Sequence, residues 1–226
     1  TTEDDLDARR VEAGDARERA LERRIGLGER RREAVVAALR AAGAERVLDL
    51  GCGEGELVCA LAEQGFERVV GADVSPRNLA IAAARLERLG PRARERASLL
   101  HASALYRDER FAGFDAICLL EVIEHVEPSR LEALARVVLE HAAPRVVIVT
   151  TPNREHDALL DDLPAVALRH PDHRFEWTRA ELSAWAHAVG ERFGYSVAIA
   201  PIGEEDPELG PPTHLVVLTR DEGGAP

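Results

Sequence analysis

The sequence predicts an α/β fold, a doubly wound, mostly parallel sheet of seven strands closed by a C-terminal antiparallel hairpin. Three observations carry this. Apolar strand-like runs and helical segments alternate from residue 31 to residue 151. The first run enters a glycine-rich turn and the second ends on an acid, Asp73. Two β-branched runs near the C-terminus are joined by a polar loop rich in glycine and proline, which suits an antiparallel pair.

Residues Thr1 to Ile25 alternate acids and arginines around Leu6, Val11, Leu21 and Ile25, the pattern of a charged helix with no chemistry of its own. Residues 1–30 are expected as an N-terminal helical extension, 31–220 as the main domain and 221–226 as a frayed tail. Gly26 and Gly28 should break the first helix, and a second over Arg31 to Ala42 should bury Ala34, Val35, Ala38 and Leu39. Arg46 to Leu50 is a strand, followed by Gly51, Gly53 and Gly55 and a helix to about Gln64. Arg68 to Asp73 is the second strand. Ser75 as N-cap and Pro76 at the first position open a helix to about Leu89, stopped by Gly90 and Pro91.

The third strand, Ala97 to His101, ends at Ala102-Ser103, and the fourth is Phe114 to Leu120. Pro128 and Ser129 open a helix to His141, closed by Pro144. Arg145 to Thr151 has the composition of a strand buried on both faces. Pro152 to Trp177 is a connection without a clear period, and loops of that length in compact domains are usually functional or disordered. Thr178 and Glu181 are spaced as a capping box, heading a helix through Leu182, Trp185, Ala186 and Val189. Tyr195 to Ala200 and His214 to Thr219 are the closing strands.

A chain of 226 residues can bury one sizeable core. No apolar stretch approaches membrane-spanning length and the N-terminal residues are too charged for a signal peptide, so no membrane partner and a cytoplasmic location are expected. All 29 basic residues are arginine, which reads as the coding bias of a GC-rich genome, and the missing initial methionine suggests an excised or processed chain. A net charge of −12 argues against wrapping a long nucleic acid, a task that relies on surplus cations, while leaving the grip of a single terminal nucleotide open. Cys52, Cys59 and Cys118 lack zinc-like spacing and read as free thiols.

Chemistry concentrates at the carboxyl end of the fourth strand, the edge where open α/β sheets bind ligands. Glu121, Glu124 and His125 stand there at i, i+3 and i+4, so a helical turn would bring two carboxylates and an imidazole to one side, a geometry a metal ion can use. A solvated polar turn is the competing reading of the same five residues. Asp73 lies about 20 residues beyond the glycines, the distance at which an acid takes the two hydroxyls of a ribose.

The glycine turn, Asp73 and the closing hairpin together resemble the class I S-adenosylmethionine-dependent methyltransferases, a Rossmann-like fold. That resemblance implies that Asp49, Gly51, Gly53 and Gly55 hold the methionine part of the cofactor, Asp73 the ribose, and Ser103 and Ala104 the adenine. A dinucleotide oxidoreductase shares the turn and the acid, but its fingerprint requires a third glycine where Glu56 stands. Leu168 to Arg179, which contains Asp172-His-Arg-Phe-Glu-Trp177, and the preceding Thr150-Thr-Pro-Asn153 closely resemble the family that methylates the 2′-hydroxyl of the 3′-terminal ribose of RNA, in small RNAs and in bacterial RNA repair. In that family a divalent metal is held by residues matching Glu121, Glu124, His125 and His173. The resemblance further implies RNA contacts near Asn153, Arg169, His170 and Arg179, although Arg154 to Asp157 departs from the family pattern. It implies as partners the 3′ end of a small RNA or tRNA fragment and a polynucleotide kinase-phosphatase-ligase that docks on an N-terminal half absent from this sequence.

Two carboxylates and two imidazoles favour manganese over magnesium, which prefers oxygen ligands throughout. The identity of the general base stays open between His125 and water. Two other functions remain compatible with the sequence: a small-molecule O-methyltransferase working without metal, and a cofactor-binding regulatory subunit without turnover.

Overall fold

A computed structural model of the chain describes residues 26–159 and 168–221; the expected N-terminal helix and the last five residues lie outside them. The elements are α1 Leu27–Ala41, β1 Arg46–Leu50, α2 Glu56–Glu63, β2 Arg68–Asp73, α3 Pro76–Leu86, α4 Pro91–Arg96, β3 Ala97–His101, β4 Ala116–Leu120, α5 Leu131–Ala135, β5 Val146–Pro152, α6 Arg179–Phe193, β6 Tyr195–Ile202 and β7 Thr213–Arg220. One seven-stranded sheet has the order β3-β2-β1-β4-β5-β7-β6. Strands β1 to β5 are parallel, and β7 enters antiparallel between β5 and β6.

The sheet is buried on both faces, which is why its central strands read as continuous apolar runs. Leu48, Leu50, Ile117, Val147 and Val149 face α5 and α6, whose Leu131, Leu134, Leu182 and Ala186 close that core. Val47, Val69, Cys118 and Ile148 face the other way, onto Val35 and Leu39 of α1, Val58 and Leu61 of α2 and Leu86 of α3. Both cores exclude water from a sheet whose carboxyl edge stays accessible between them.

Local signals set most helix ends. Ser75 Oγ accepts the Asn78 N–H at 3.3 Å, with Pro76 at the first helical position. Thr178 and Glu181 form the reciprocal capping box, worth about 1 kcal/mol. Three expectations are corrected. The second helix begins at Leu27, not Arg31: Gly26 is its left-handed N-cap and Gly28 lies in its first turn, while the helix expected before Gly26 lies outside the described residues. Gly90 and Pro91 stop α3 but also start the short α4, because proline suits the first turn of a helix as well as the end of one. The helix predicted to His141 is α-helical only to Ala135 and continues as a wider π turn over Arg136–Ala142, where Val137, Val138 and Leu139 are all buried.

His214 illustrates how the hairpin is held. It pairs with Thr151 across β5 and β7 and is 4% exposed, and burial pushes its pKa down to about 4. The ring is neutral in the folded chain, whereas in the unfolded chain it takes a proton near the ordinary value of about 6.5. Its contribution to stability is therefore complete above about pH 6.5 and lost as pH falls toward 4. Urea denaturation of His214→Gln should show a pH 7.5 to pH 5 loss smaller than wild type by about 2 kcal/mol. An equal loss in both proteins would contradict the assignment.

Candidate active site

The glycine turn and the end of β2 face each other across the carboxyl edge. Gly51 has φ +88°, and a Cβ there would stand 2.6 Å from Val122 Cγ2, so both conformation and space require glycine. The Gly53 N–H donates to Asp73 Oδ2 at 2.9 Å and the Ser75 N–H to Oδ1 at 2.7 Å. These two donors fix the Asp73 carboxylate and leave each oxygen a lone pair for a ligand hydroxyl. Val74, the next residue, is 60% exposed. Ser103 and Ala104 form the turn after β3, in which Ser103 Oγ accepts the Leu105 N–H at 3.2 Å. A cleft between α1 and the glycine turn is lined by Gly28, Arg31, Asp49, Gly51, Gly53 and Glu121. Burial, with Asp73 adding to it, pushes the Asp49 carboxyl up to about 7.

The chain leaves β4 through a strained residue. Glu121 has φ +50°, an uncommon conformation for a side chain of its size and one that clusters at functional sites. It is over-determined: its N–H reaches the Thr150 carbonyl at 3.1 Å, its Oε1 accepts the Thr150 hydroxyl at 2.9 Å, and its Oε2 pairs with Arg31 Nη1 at 2.7 Å. The expected helical turn is instead this left-handed step followed by one 3₁₀ turn, Ile123–His125. Glu121 is thereby turned toward α1, while Glu124 goes inward. Glu124 is fully buried; its Oε2 accepts the Thr151 hydroxyl at 3.2 Å and its Oε1 has no hydrogen-bond partner among the described residues. Burial, and then the neighbouring Glu121, push its carboxyl well above the ordinary range.

The long connection returns over this loop and brings the histidines. The Arg174 N–H donates to the Glu124 carbonyl at 2.7 Å, docking the segment directly on the 3₁₀ turn. Among the described residues, His125, His170 and His173 offer ligand atoms within 4.8 Å of one another. His173 is buried, and its Nδ1 shares a 2.5 Å hydrogen bond with Glu176 Oε1. A carboxylate on the far nitrogen is how metal-ligating histidines are oriented. His170 differs, because its Nδ1 accepts the Asp172 N–H at 3.1 Å; a neutral ring then carries its proton on Nε2 and acts there as a donor. Burial and the two neighbouring imidazoles push the His125 pKa down to about 4, so this ring is neutral near pH 7.

The three clustered histidines, one of them oriented by Glu176, fit a metal cation; Glu121 and Glu124, expected in the same set, lie on the adjoining loop and are not part of that cluster. The other residues expected to meet RNA are engaged within the frame. Asn153 is buried and donates to the Leu209 and Pro211 carbonyls, both at 2.8 Å. The Arg169 guanidinium donates to the Asn153 and Pro212 carbonyls, and Arg179 binds Glu155 at 2.7 Å and the Glu208 carbonyl at 2.7 Å. Sequence reasoning missed Arg31, Thr150, Thr151 and Glu176. Arg31 had a visible signal: it occupies the buried register Leu27, Arg31, Val35, Leu39, where a charge needs a partner.

Comparisons with known proteins identify the family. A family model described as a methyltransferase domain matches residues 9–192. The methyltransferase domain of bacterial CtHen1 is 44% identical, with 85% of this chain and 99% of that chain covered and a TM-score of 0.78. The chain belongs to the Hen1 family of methyltransferase domains. Small RNA 2′-O-methyltransferases of this kind include one from Mus musculus, 33% identical over 79% of this chain and 47% of that protein, and one from Arabidopsis thaliana, 32% identical over 86% of this chain and 23% of that protein. The chain thus spans half or less of the length of these curated Hen1 relatives. A chain of the Pnkp1/Rnl/Hen1 RNA repair complex, 24% identical over 86% of this chain and 42% of that chain with a TM-score of 0.62, shares the fold. Among the described residues no helix is long and apolar enough to cross a membrane.

Glu124→Gln keeps the shape and removes the ionisable group. Without divalent ions at neutral pH it should melt higher than wild type, by about 1–3 kcal/mol of stability, because burial keeps the wild-type carboxyl from ionising as it does in the unfolded chain. Manganese should raise the melting temperature of wild type and leave that of the variant unmoved. Scanning calorimetry with and without the ion tests both statements; a less stable variant that still responds to manganese would contradict them.

Proposed function

We propose that this chain transfers the methyl group of S-adenosylmethionine to the 2′-hydroxyl of the 3′-terminal ribose of RNA, with a divalent cation beside the cofactor. The observation that carries the reading is the cluster of His125, His170 and His173, docked on the same loop that buries a Glu124 oxygen with no hydrogen-bond partner among the described residues, in a chain of the Hen1 family. Names of the curated relatives support 2′-O-methylation of small RNA as the reaction class.

Each residue has a stated part. Asp73 accepts both hydroxyls of the cofactor ribose, the glycine turn with Asp49 and Arg31 surrounds its amino-acid end, and Ser103, Ala104 and Val74 flank its adenine. Glu121, Glu124, His125 and His173 would hold the cation, Glu121 being the carboxylate paired with Arg31. Two imidazoles favour manganese, with magnesium the alternative at cellular abundance. A cation bound there would supply Lewis acidity that lowers the pKa of the 2′-hydroxyl and a template for the terminal ribose. The oxygen then displaces the sulfonium: an O–C bond forms, the S–C bond breaks to give a thioether, and the hydroxyl proton leaves to water or a neutral imidazole. His170 donates from Nε2 beside the reacting ribose. Asn153, Arg169 and Arg179 act by tying the long connection to the β6–β7 loop. A kinase-phosphatase-ligase partner in RNA repair remains part of the proposal on the sequence resemblance, and co-elution with such an enzyme tests it.

Methyl transfer to short RNAs of defined 3′ ends tests the reaction. An end bearing 2′- and 3′-hydroxyls should be methylated, with activity lost to a chelator and restored by manganese. Ends bearing 3′-phosphate or 3′-deoxyribose should not be methylated, since each lacks the hydroxyl pair. His173→Ala should lose turnover by 100-fold or more while binding S-adenosylmethionine as wild type does. Equal methylation of the 3′-deoxy end would rule out engagement of both hydroxyls, and methyl groups found only on internal riboses would defeat the terminal-nucleotide reading.

A further inference from the structure

Tyr106 is the most exposed large apolar side chain among the described residues, at 64%, and the reaction described above gives it no part. Its exposure is built in. On one side the Ser103 turn holds it, with the Tyr106 N–H donating to the Ser103 carbonyl at 3.4 Å and Leu105 packed against the core. On the other, Asp108 caps a 3₁₀ turn, Glu109–Phe111, and grips the Arg110 guanidinium at 2.9 Å, while Phe111 is buried. The ring is thus presented outward by a segment anchored at both ends.

A second observation gives the ring a chemical direction. The Arg130 guanidinium lies 5.6 Å from its centroid. Arg130 ends the 3₁₀ turn Pro128–Arg130, five residues after His125, and its N–H is held by the Glu127 carbonyl at 2.7 Å. The contact therefore joins the turn after β3 to the loop after β4, although β2 and β1 lie between these strands in the sheet, a separation of roughly 14 Å. Arg107, the next residue in the chain, has a side chain 65% exposed that makes a long 3.9 Å pair with the exposed Glu109. Two other nearby acids are engaged: Glu127 pairs with Arg174 and Asp108 with Arg110. An exposed aromatic ring with one arginine over it and an exposed arginine next in sequence is the chemistry of a nucleobase with its phosphates, not of an acidic or purely apolar partner.

Two nucleobases could use this surface, the adenine of the cofactor and a base of the RNA. Val74 already stands exposed beside Asp73 for the former. Resting on the function proposed above, we propose that Tyr106 is the stacking platform for an RNA base just upstream of the 3′-terminal nucleotide, with Arg107 and Arg130 neutralising the adjoining phosphates. The platform fixes the strand end over the site without reading its sequence, because every base offers a π face.

The test uses the whole chain and short RNAs in which an abasic nucleotide is moved stepwise from the 3′ end. Wild type should show a rise of about tenfold in KM at one upstream position, the scale expected for loss of one base stack. Tyr106→Ala should show the same rise with intact RNA and no further rise with the abasic one, whereas Tyr106→Trp should restore the wild-type pattern. RNA affinity read by fluorescence anisotropy, independent of turnover, should follow the same order. If wild type binds RNA but does not methylate it, the function proposed above fails while anisotropy still decides the platform. If Tyr106→Ala binds and methylates every RNA as wild type does, the platform is overturned and the methyltransferase reading stands. A fall in S-adenosylmethionine affinity with RNA affinity unchanged would assign the ring to the cofactor's adenine and also overturn it.

Discussion

A carboxylate buried at the open edge of a sheet is the constraint around which this site is organised. Glu124 has no exposed surface, faces a second acid, and receives one hydroxyl from Thr151 in compensation. Burying such a group costs several kcal/mol unless charge of the opposite sign meets it. Arg31 offsets Glu121, the outer acid, and Glu176 aligns His173. A buried acid with an oxygen unpartnered among the described residues and a cluster of three histidines docked on its loop is an arrangement suited to a cation, and the strain at Glu121 φ +50° is the local cost of aiming the two acids apart.

The same loop sizes the cofactor side. Val122 fills the space that a side chain at Gly51 would need, so the turn proposed to approach the cofactor and the loop proposed to hold the cation are in direct contact. Arg31 reaches both, since it lines the cleft at the glycine turn and pairs with Glu121. Helix α1 therefore lines the proposed site, and its one sequence signal is an arginine in the buried register of the helix.

What the sequence revealed and what it hid follow from where each signal resides. The parallel strands were legible because burial on both faces leaves apolar runs such as Val146 to Val149, and the Thr178–Glu181 box fixed a helix start through contacts three residues apart. Helix boundaries near glycine and proline were less so, because Gly28 and Pro91 are tolerated in a first turn as readily as in a break. The return of His173 to His125 was legible through its motif. The tautomer of His170 was not, since it depends on the Asp172 N–H, and the engagement of Asn153 and Arg169 depends on backbone carbonyls of a loop more than 40 residues away. Pairings that join Arg31 to Glu121 across 90 positions carry no local trace.

The central claim is that Glu124, His125 and His173 are the inner ligands of a divalent cation. Crystals grown with manganese and S-adenosylhomocysteine, measured at the manganese absorption edge, test it most directly. The account predicts one strong anomalous peak about 2.0–2.3 Å from Glu124 Oε1 and from an imidazole nitrogen of each histidine. Absence of that peak from crystals whose dissolved protein is active, or a peak bound elsewhere, would contradict it.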